Sequence, residues 1–283
     1  MQADEIMRLR EINYHRLPER RVSTPEAARA FVDEVGFCHF WPVKGAELPN
    51  LYHAIAGRAR PIVIEHDDPD LGRSWNWKDD ALDKKWWYYG KLLRRRSTLV
   101  SLAQLPYFYA LSDNYGALDD YLQEYADGRM SAEAKAIYEA ILESGPLDTV
   151  GLRRRAHMSA DSAKGRFEKA LTDLQVGLKL LPVGVAEAGA WHYAFVYELL
   201  ARWLPDVPVR ARPVGRREAR RHLLVDYLRI AVAALPAQVA ALFGWAAADV
   251  EQAADDAEHA GQVVRNVSIQ GMDGAHLMIA SAR

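Results

Sequence analysis

The sequence predicts a mainly α protein of the α+β class, with helices carrying the core and small β-hairpins closing each unit. Three observations predict it. Apolar residues recur at helical spacing through most of the 283 residues. Short alternating stretches flank turn sequences toward the end of each third of the chain. The same order, helices and then a hairpin, comes three times at intervals of roughly 100 residues.

The first third opens with Thr24-Pro25-Glu26. Thr24 suits a helix cap, and Pro25 sits where a missing N–H costs nothing, so a helix is expected through Val35. Leu48–Ala56 reads as a second helix. A strand-like Pro61–Glu65 and an acidic turn, Asp67–Asp70, follow. Trp77–Lys91 reads as the third helix, and Thr98–Ala103 with Tyr107–Leu111 as a hairpin around Leu105-Pro106.

The middle third predicts helices over Ser131–Ser144, Leu147–Ala156 and Ser162–Val176, the last capped by Asp161 or Ser162. Gly145-Pro146 breaks the first and Gly177 closes the third. Leu178–Val185 and Trp191–Tyr197 bracket the turn Glu187-Ala188-Gly189-Ala190. In the last third, Arg216–Ala234, Pro236–Phe243 and Ala247–Ala260 read as helices. Val263–Gln270 and Ala275–Ala280 form a hairpin across Gly271–Gly274. The layout is that of a winged helix-turn-helix, with three units expected over residues 1–115, 116–208 and 209–283.

The formal net charge is −2, from 36 basic and 38 acidic residues. That excludes a globally basic nucleic-acid binder but not a locally basic one. Residues 1–150 carry −5, residues 151–221 carry +7 and residues 222–283 carry −4. Between Lys84 and Arg96 there are six cations and no acid; six arginines lie between Arg210 and Arg221 with only Glu218 against them. Clustered cations attract phosphate and release its counterions, although many such runs are solvated faces paired with acids elsewhere. The single cysteine, Cys38, excludes an intramolecular disulfide and a cysteine-based zinc site. No apolar run approaches a membrane span, and the charged N-terminus lacks the apolar core of a signal peptide. A soluble, cytoplasmic protein is expected.

A winged helix presents the start of its third helix to a DNA groove and its hairpin to the backbone. On the expected elements, Lys84, Lys85 and Lys91 fall on the third helix of the first unit, with Arg94, Arg95 and Arg96 leading into its hairpin. In the second unit, Ser162, Lys164 and Arg166 open the third helix, and Arg153, Arg154 and Arg155 end the one before. All of these except Arg155 are the candidate DNA-binding residues. The third helix of the last unit instead carries Asp249, Glu251, Asp255, Asp256 and Glu258, which repel phosphate and suit a structural or partner surface. Trp41, Trp75, Trp77, Trp86 and Trp87 crowd the first unit; such rings fill a core or stack on bases. His39, His53 and His66 with Asp67, Asp68 and Asp70 match no zinc spacing, so neither metal nor other cofactor is expected.

Several stretches carry a resemblance: Thr24-Pro25-Glu26 to Gly36, Gly145-Pro146-Leu147, Phe167–Leu171 to Gln175, the Val183–Tyr197 hairpin, Trp203-Leu204-Pro205 and Phe243-Gly244-Trp245. In this order they resemble the tandem winged-helix DNA glycosylases of the AlkZ and YcaQ type. The resemblance implies three winged helices around a basic channel, double-stranded DNA as partner, and excision of alkylated or crosslinked bases. It also implies a catalytic motif after the first helix: glutamine, any residue, then glutamine or aspartate. Here Gly36-Phe37-Cys38-His39-Phe40 occupies that segment. Cys38 stands at the first motif position and Phe40 at the second, and neither holds a water well. His39, between them, is the candidate base. The leading expectation is therefore DNA binding without the usual base-excision chemistry. The alternatives are a glycosylase using non-standard residues, or a regulatory or protein-interaction module.

Overall fold

The computed structural model describes residues 1–62, 68–189 and 192–282. Three small antiparallel sheets are set among fourteen described helices. In chain order, the first stretch contributes α1 (Ala3–Asn13), α2 (Pro25–Val35), β1 (Phe37–His39), α3 (Leu51–Ala56), α4 (Pro69–Asp80), β2 (Trp87–Gly90), β3 (Thr98–Ser101) and α5 (Leu105–Ala110). The middle stretch contributes α6 (Asp120–Ala126), α7 (Ala132–Ser144), β4 (Leu147–Asp148), α8 (Thr149–Arg155), α9 (Lys164–Val176), β5 (Leu180–Ala186), β6 (Ala194–Leu199), α10 (Leu200–Trp203) and α11 (Asp206–Ala211). The last contributes α12 (Arg216–Ala231), β7 (Ala233–Ala234), α13 (Pro236–Phe243), α14 (Ala247–His259), β8 (Val263–Val267) and β9 (His276–Ile279).

One order of elements recurs: helix, strand, helix, helix, strand, strand. It runs from α2 to β3, from α7 to β6 and from α12 to β9. Each sheet then places its first strand beside its third and the third beside its second: β1-β3-β2, β4-β6-β5 and β7-β9-β8. The opening strand of each set was not foreseen. It is two or three residues long, too short for a period-two pattern to show.

Helix starts follow local chemistry. Thr24 accepts from the Ala27 amide at 3.1 Å and Ser131 from the Ala134 amide at 3.1 Å, each satisfying a donor the helix cannot. Asn50 caps α3 by accepting from the His53 amide, so that helix begins after Asn50 and not at Leu48. Asp68 accepts from the amides of Asp70 and Leu71, so the expected acidic turn is in fact the cap of α4. Of the strand expected over Pro61–Glu65, Pro61 and Ile62 are not strand; residues 63–67 lie outside the described residues, as do Ala190 and Trp191 of the second hairpin.

The helix expected over Trp77–Lys91 is corrected. α4 ends at Asp80, a turn covers residues 81–86, and Trp87–Gly90 is the first sheet's edge strand β2, with Trp87 opposite Ser101 and Gly90 opposite Thr98. Lys84 and Lys85 therefore lie in a turn and Lys91 just beyond a strand. Trp86 and Trp87 stand at a strand entry, where successive side chains point to opposite faces. The hairpin expected around Leu105-Pro106 is also corrected: Leu105–Ala110 is helix α5, with Pro106 in its first turn, where proline is tolerated.

The largest apolar cluster draws on all three stretches, joining Phe37, Tyr88 and Phe108 to Leu178 and Leu181 and to Leu223, Tyr227 and Leu242. Polar ties reinforce it. The Tyr88 hydroxyl donates to the Gln175 carbonyl at 3.0 Å, and the Lys91 amide donates to Gln175 Oε1 at 3.2 Å. The buried Arg10 of α1 donates to the carbonyls of Ala231 and Ala233 at 2.8 and 2.6 Å and pairs with Glu47 at 3.1 Å. It thus satisfies carbonyls where α12 ends and complements that helix's dipole. Among the described residues no helix is long and apolar enough to cross a membrane.

Candidate functional site

The site begins at β1. Because β1 is paired along β3, with Cys38 opposite Leu99 and His39 opposite Thr98, its side chains are held inside the sheet's packing. Cys38 is fully buried among apolar neighbours, and burial pushes its thiol well above the ordinary range. His39 is 1 % exposed, and its ring nitrogens lack a well-formed hydrogen bond among the described residues, with only a Ser97 backbone group near enough to oppose the fall in its pKa. Burial, with Arg94 and Arg96 nearby, lowers the imidazole to about 4. A neutral, enclosed imidazole has no route to a water at this position.

Phe40, just past β1, leads to the chemistry. Its ring stacks on Trp41 at 5.2 Å and meets Trp75 and Tyr89 edge-on at 6.3 and 6.0 Å. Beneath these rings lies Lys78, fully buried in the last turn of α4. Its Nζ is 4.2 Å from the centre of the Trp75 ring, 4.5 Å from Phe195, 5.3 Å from Tyr89, 5.6 Å from Phe40 and 5.7 Å from Tyr193. Five aromatic faces surround one ammonium. The Asp79 carboxylate lies 2.7 Å from Nζ, and Nζ donates to the Tyr193 hydroxyl at 3.0 Å. Tyr193 in turn donates to Asp79, at 3.0 and 3.1 Å from its two oxygens. Burial lowers the Lys78 amine, while Asp79 opposes that shift. Burial and the neighbouring Asp79 raise the Tyr193 hydroxyl far above its usual range, so it stays a donor.

Beside this cage opens a cleft of about 510 Å³ lined by Trp41, Pro42, Val43, Lys44, Lys91, Arg94, Arg96 and Ser97. Four of its walls are cations and none is an acid. Among the described residues none of the four makes a salt bridge: Arg94 donates to the Lys44 carbonyl at 3.2 Å and Lys91 to Ser97 Oγ at 3.1 Å. Burial, then Arg96, lowers the Lys91 amine. Arg94 and Arg95 both adopt left-handed backbone, with φ of 51° and 58°, a conformation costing roughly 1 kcal/mol or more for a side chain with a Cβ. Trp41 and Ser97 connect cleft and cage: Trp41 lies 5.9 Å from Trp75, and Ser97 Oγ accepts from Tyr89 at 3.3 Å.

The sequence-predicted cations are distributed unequally. Lys91, Arg94 and Arg96 meet in the cleft. Arg95 reaches across to α9 and pairs with Asp173 at 2.6 Å. Lys84 and Lys85 lie over the rings of Trp86 and Trp203 at 4.8 and 4.4 Å. Arg153 spends its guanidinium on the carbonyls of Met158, Ser159 and Ala160. Arg154, Ser162, Lys164 and Arg166 are exposed around the start of α9, where Arg166 pairs with Glu133 at 3.4 Å. The arginine run of α12 is partly answered by α14: Arg220 pairs with Asp249 at 3.0 Å and Arg217 with Asp256, while Arg216 faces Asp113 at 3.9 Å and Arg221 the neutral Gln262.

Among the described residues there is no cluster of three metal-ligating side chains. His53 faces Asn50 and the Arg60 carbonyl, and Asp68 and Asp70 pair with Arg60; His66 and Asp67 lie outside the described residues. Sequence reading missed Lys44, Lys78, Asp79 and Tyr193. The only signal was spacing: Leu71, Trp75 and Lys78 share a helix stripe, which places a lysine where an apolar residue would ordinarily stand.

A family described as AlkZ related matches residues 22–244. Among solved structures, the fold is similar to a Streptomyces sahachiroi DNA glycosylase, AlkZ, with a TM-score of 0.57 and 14 % sequence identity, covering 96 % of this chain and 70 % of that one. No curated protein matches the sequence.

Proposed function

The chain belongs to the AlkZ-related family, and from that premise we propose that it binds double-stranded DNA, with the cleft beside Trp41 seating the phosphate backbone. The observation that carries this reading is the cleft's wall: Lys44, Lys91, Arg94 and Arg96, with no acid among its lining. Uncompensated cations around a concavity attract a polyanion, whereas Arg217 and Arg220 of α12 are already paired with acids of α14. The recurring element order and strand order support reading the chain as three winged helices over residues 1–115, 116–208 and 209–283. On that reading the start of α9, with Ser162, Lys164 and Arg166, and Arg154 at the end of α8 extend the DNA contact; Arg95, Arg153, Lys84 and Lys85 shape the flanking surface.

Gel-shift titration of an undamaged duplex at two ionic strengths tests the proposal. Binding is expected to weaken steeply with salt, and changing Arg94 and Arg96 together to alanine is expected to weaken it roughly tenfold or more without altering the melting temperature by much. Salt-independent binding, or none, refutes it.

A second reading, hydrolysis of an N-glycosidic bond, is favoured by one observation. Asp79, held by Lys78 and Tyr193, sits 2.7 Å from an ammonium that itself lies 5.6 Å from the Phe40 ring. Cleaving that bond develops positive charge on the sugar, which a fixed carboxylate stabilises. Release of base from an alkylated duplex, lost in Asp79→Asn, is the expected sign of this chemistry. A wild-type protein that binds such a duplex and releases nothing argues for binding alone.

A further inference from the structure

The cleft beside Trp41 is larger and more apolar than phosphate contact requires. Its volume, about 510 Å³, falls among sites that enclose a whole small molecule, roughly 300–1,000 Å³. Lys44, Lys91, Arg94 and Arg96 supply its charge, but Trp41, Pro42 and Val43 also line it, and their surfaces offer a phosphate nothing. The cleft is reached from solvent: Pro42, Lys44, Arg94 and Arg96 are exposed, and Trp41 and Val43 are half-buried. Trp41 is held in place. Phe40 stacks on it at 5.2 Å and Trp75 lies 5.9 Å from it, and neither of these rings lines the cleft. An aromatic fixed by its neighbours loses little freedom when another ring packs on it. The turn from Lys91 to Arg96 is anchored too. Arg95 ties it to α9 through Asp173 at 2.6 Å, while Arg94 and Arg96 on either side line the cleft. Arg94 keeps left-handed backbone there, with φ of 51°, a strain that clusters at ligand clamps.

We infer that the cleft seats one unpaired nucleotide turned out of a DNA duplex, its base packed on Trp41, Pro42 and Val43 and its phosphates on the four cations. The inference rests on the DNA-binding reading and names the form of DNA that the cleft selects. A base inside an intact duplex is stacked between its neighbours and shows only its edges in the grooves, so its face cannot meet the indole. A bulged base has no pairing to lose, and turning it out costs least. Once out, it brings an apolar face and a phosphate on either side, which is the combination of surfaces that the cleft offers. Stacking on an aromatic ring is tolerant of sequence, because every base has a π-face. The cleft therefore separates unpaired from paired nucleotides and does not separate one base from another.

The test uses the full chain and two duplexes of one sequence, one fully paired and one carrying a single extra thymidine, compared by fluorescence anisotropy at the same ionic strength. The bulged duplex is expected to bind about tenfold or more tightly, whichever base is placed in the bulge. Trp41→Leu is expected to bring the two affinities within about twofold of each other. A second measurement needs no variant to fold. With 5-iodouracil as the bulged base, near-ultraviolet light is expected to crosslink it to the wild-type protein, and peptide mass mapping to place the crosslink on Trp41. Equal wild-type affinity for the two duplexes overturns the inference and leaves DNA binding standing. So does a preference that survives in Trp41→Leu, or a crosslink that maps to another residue or does not form. Absence of binding to either duplex overturns both readings.

Discussion

At the scale of the residue, environment decides which polar groups can react. His39 and Lys78 are each buried, but among the described residues only Lys78 has side-chain polar partners. The histidine is neutral in the folded protein down to about pH 4, whereas the unfolded chain protonates it near 6.5. The folded pKa is depressed, so the unfolded state binds the extra proton. The resulting stability is fully present above about pH 6.5 and is lost as pH falls toward 4, by on the order of 3 kcal/mol. Chemical denaturation at pH 7.5 and pH 4.5 is expected to show this loss, and His39→Phe to remove a large part of it. Cys38, with its thiol raised by burial, is expected to resist a thiol reagent until the protein unfolds. The sequence made Cys38, His39 and Phe40 visible as a departure from the glycosylase motif. It could not show that the polar chemistry beside Phe40 comes from α4 and from Tyr193, more than 100 residues away, because nothing local marks that contact.

Among elements, the legible ones were those with caps and breakers in the sequence. Thr24 and Ser131 mark the starts of α2 and α7, Gly145 and Gly177 the ends of α7 and α9, and Pro236 with Gly244 brackets α13. α4 was misplaced because its cap, Asp68, sits in an acidic cluster that reads equally as a solvated turn. The aromatic run Trp86–Tyr89 suits helix or strand by period alone, and β3 decides for strand. α1 was missed because its apolar face is thin; tertiary contact holds it, through Arg10. Arg10→Met is accordingly expected to cost about 2–4 kcal/mol, since it strands Glu47 and two buried carbonyls. Gly36 ends α2 at φ 75°, and a Cβ there would meet Gln104 Cγ at 3.0 Å. Gly36→Ala is expected to destabilise by roughly 1–2 kcal/mol, measured by urea unfolding.

For the whole molecule, the spacing of helices and hairpins showed the recurrence in the middle and last thirds, while the hairpin of the first third was misplaced; the shared strand order extends it to all three. What spacing could not reveal is how the repeats join. The common core and the ties from Gln175 to Tyr88 and Lys91 bring α9 against the first sheet. Arg95 and Asp173 cross the same joint. Arg166 lies seven residues before Asp173 on α9, about 10 Å along the helix from the Arg95 contact. Segment charge alone pointed to the middle of the chain, yet the unpaired cleft is built from the first, acidic stretch, because pairing and not count decides which cations are available to phosphate.

The most direct measurement is the affinity for a short undamaged duplex, followed by fluorescence anisotropy across a salt series. Each neutralised phosphate contributes a log–log slope of about −0.9. The wild-type slope is expected to be steep, and removing Lys44, Arg94 and Arg96 together to make it shallower by roughly 2–3. An unchanged slope in that variant would place the DNA elsewhere, and a wild-type affinity indifferent to salt would contradict the account at its root.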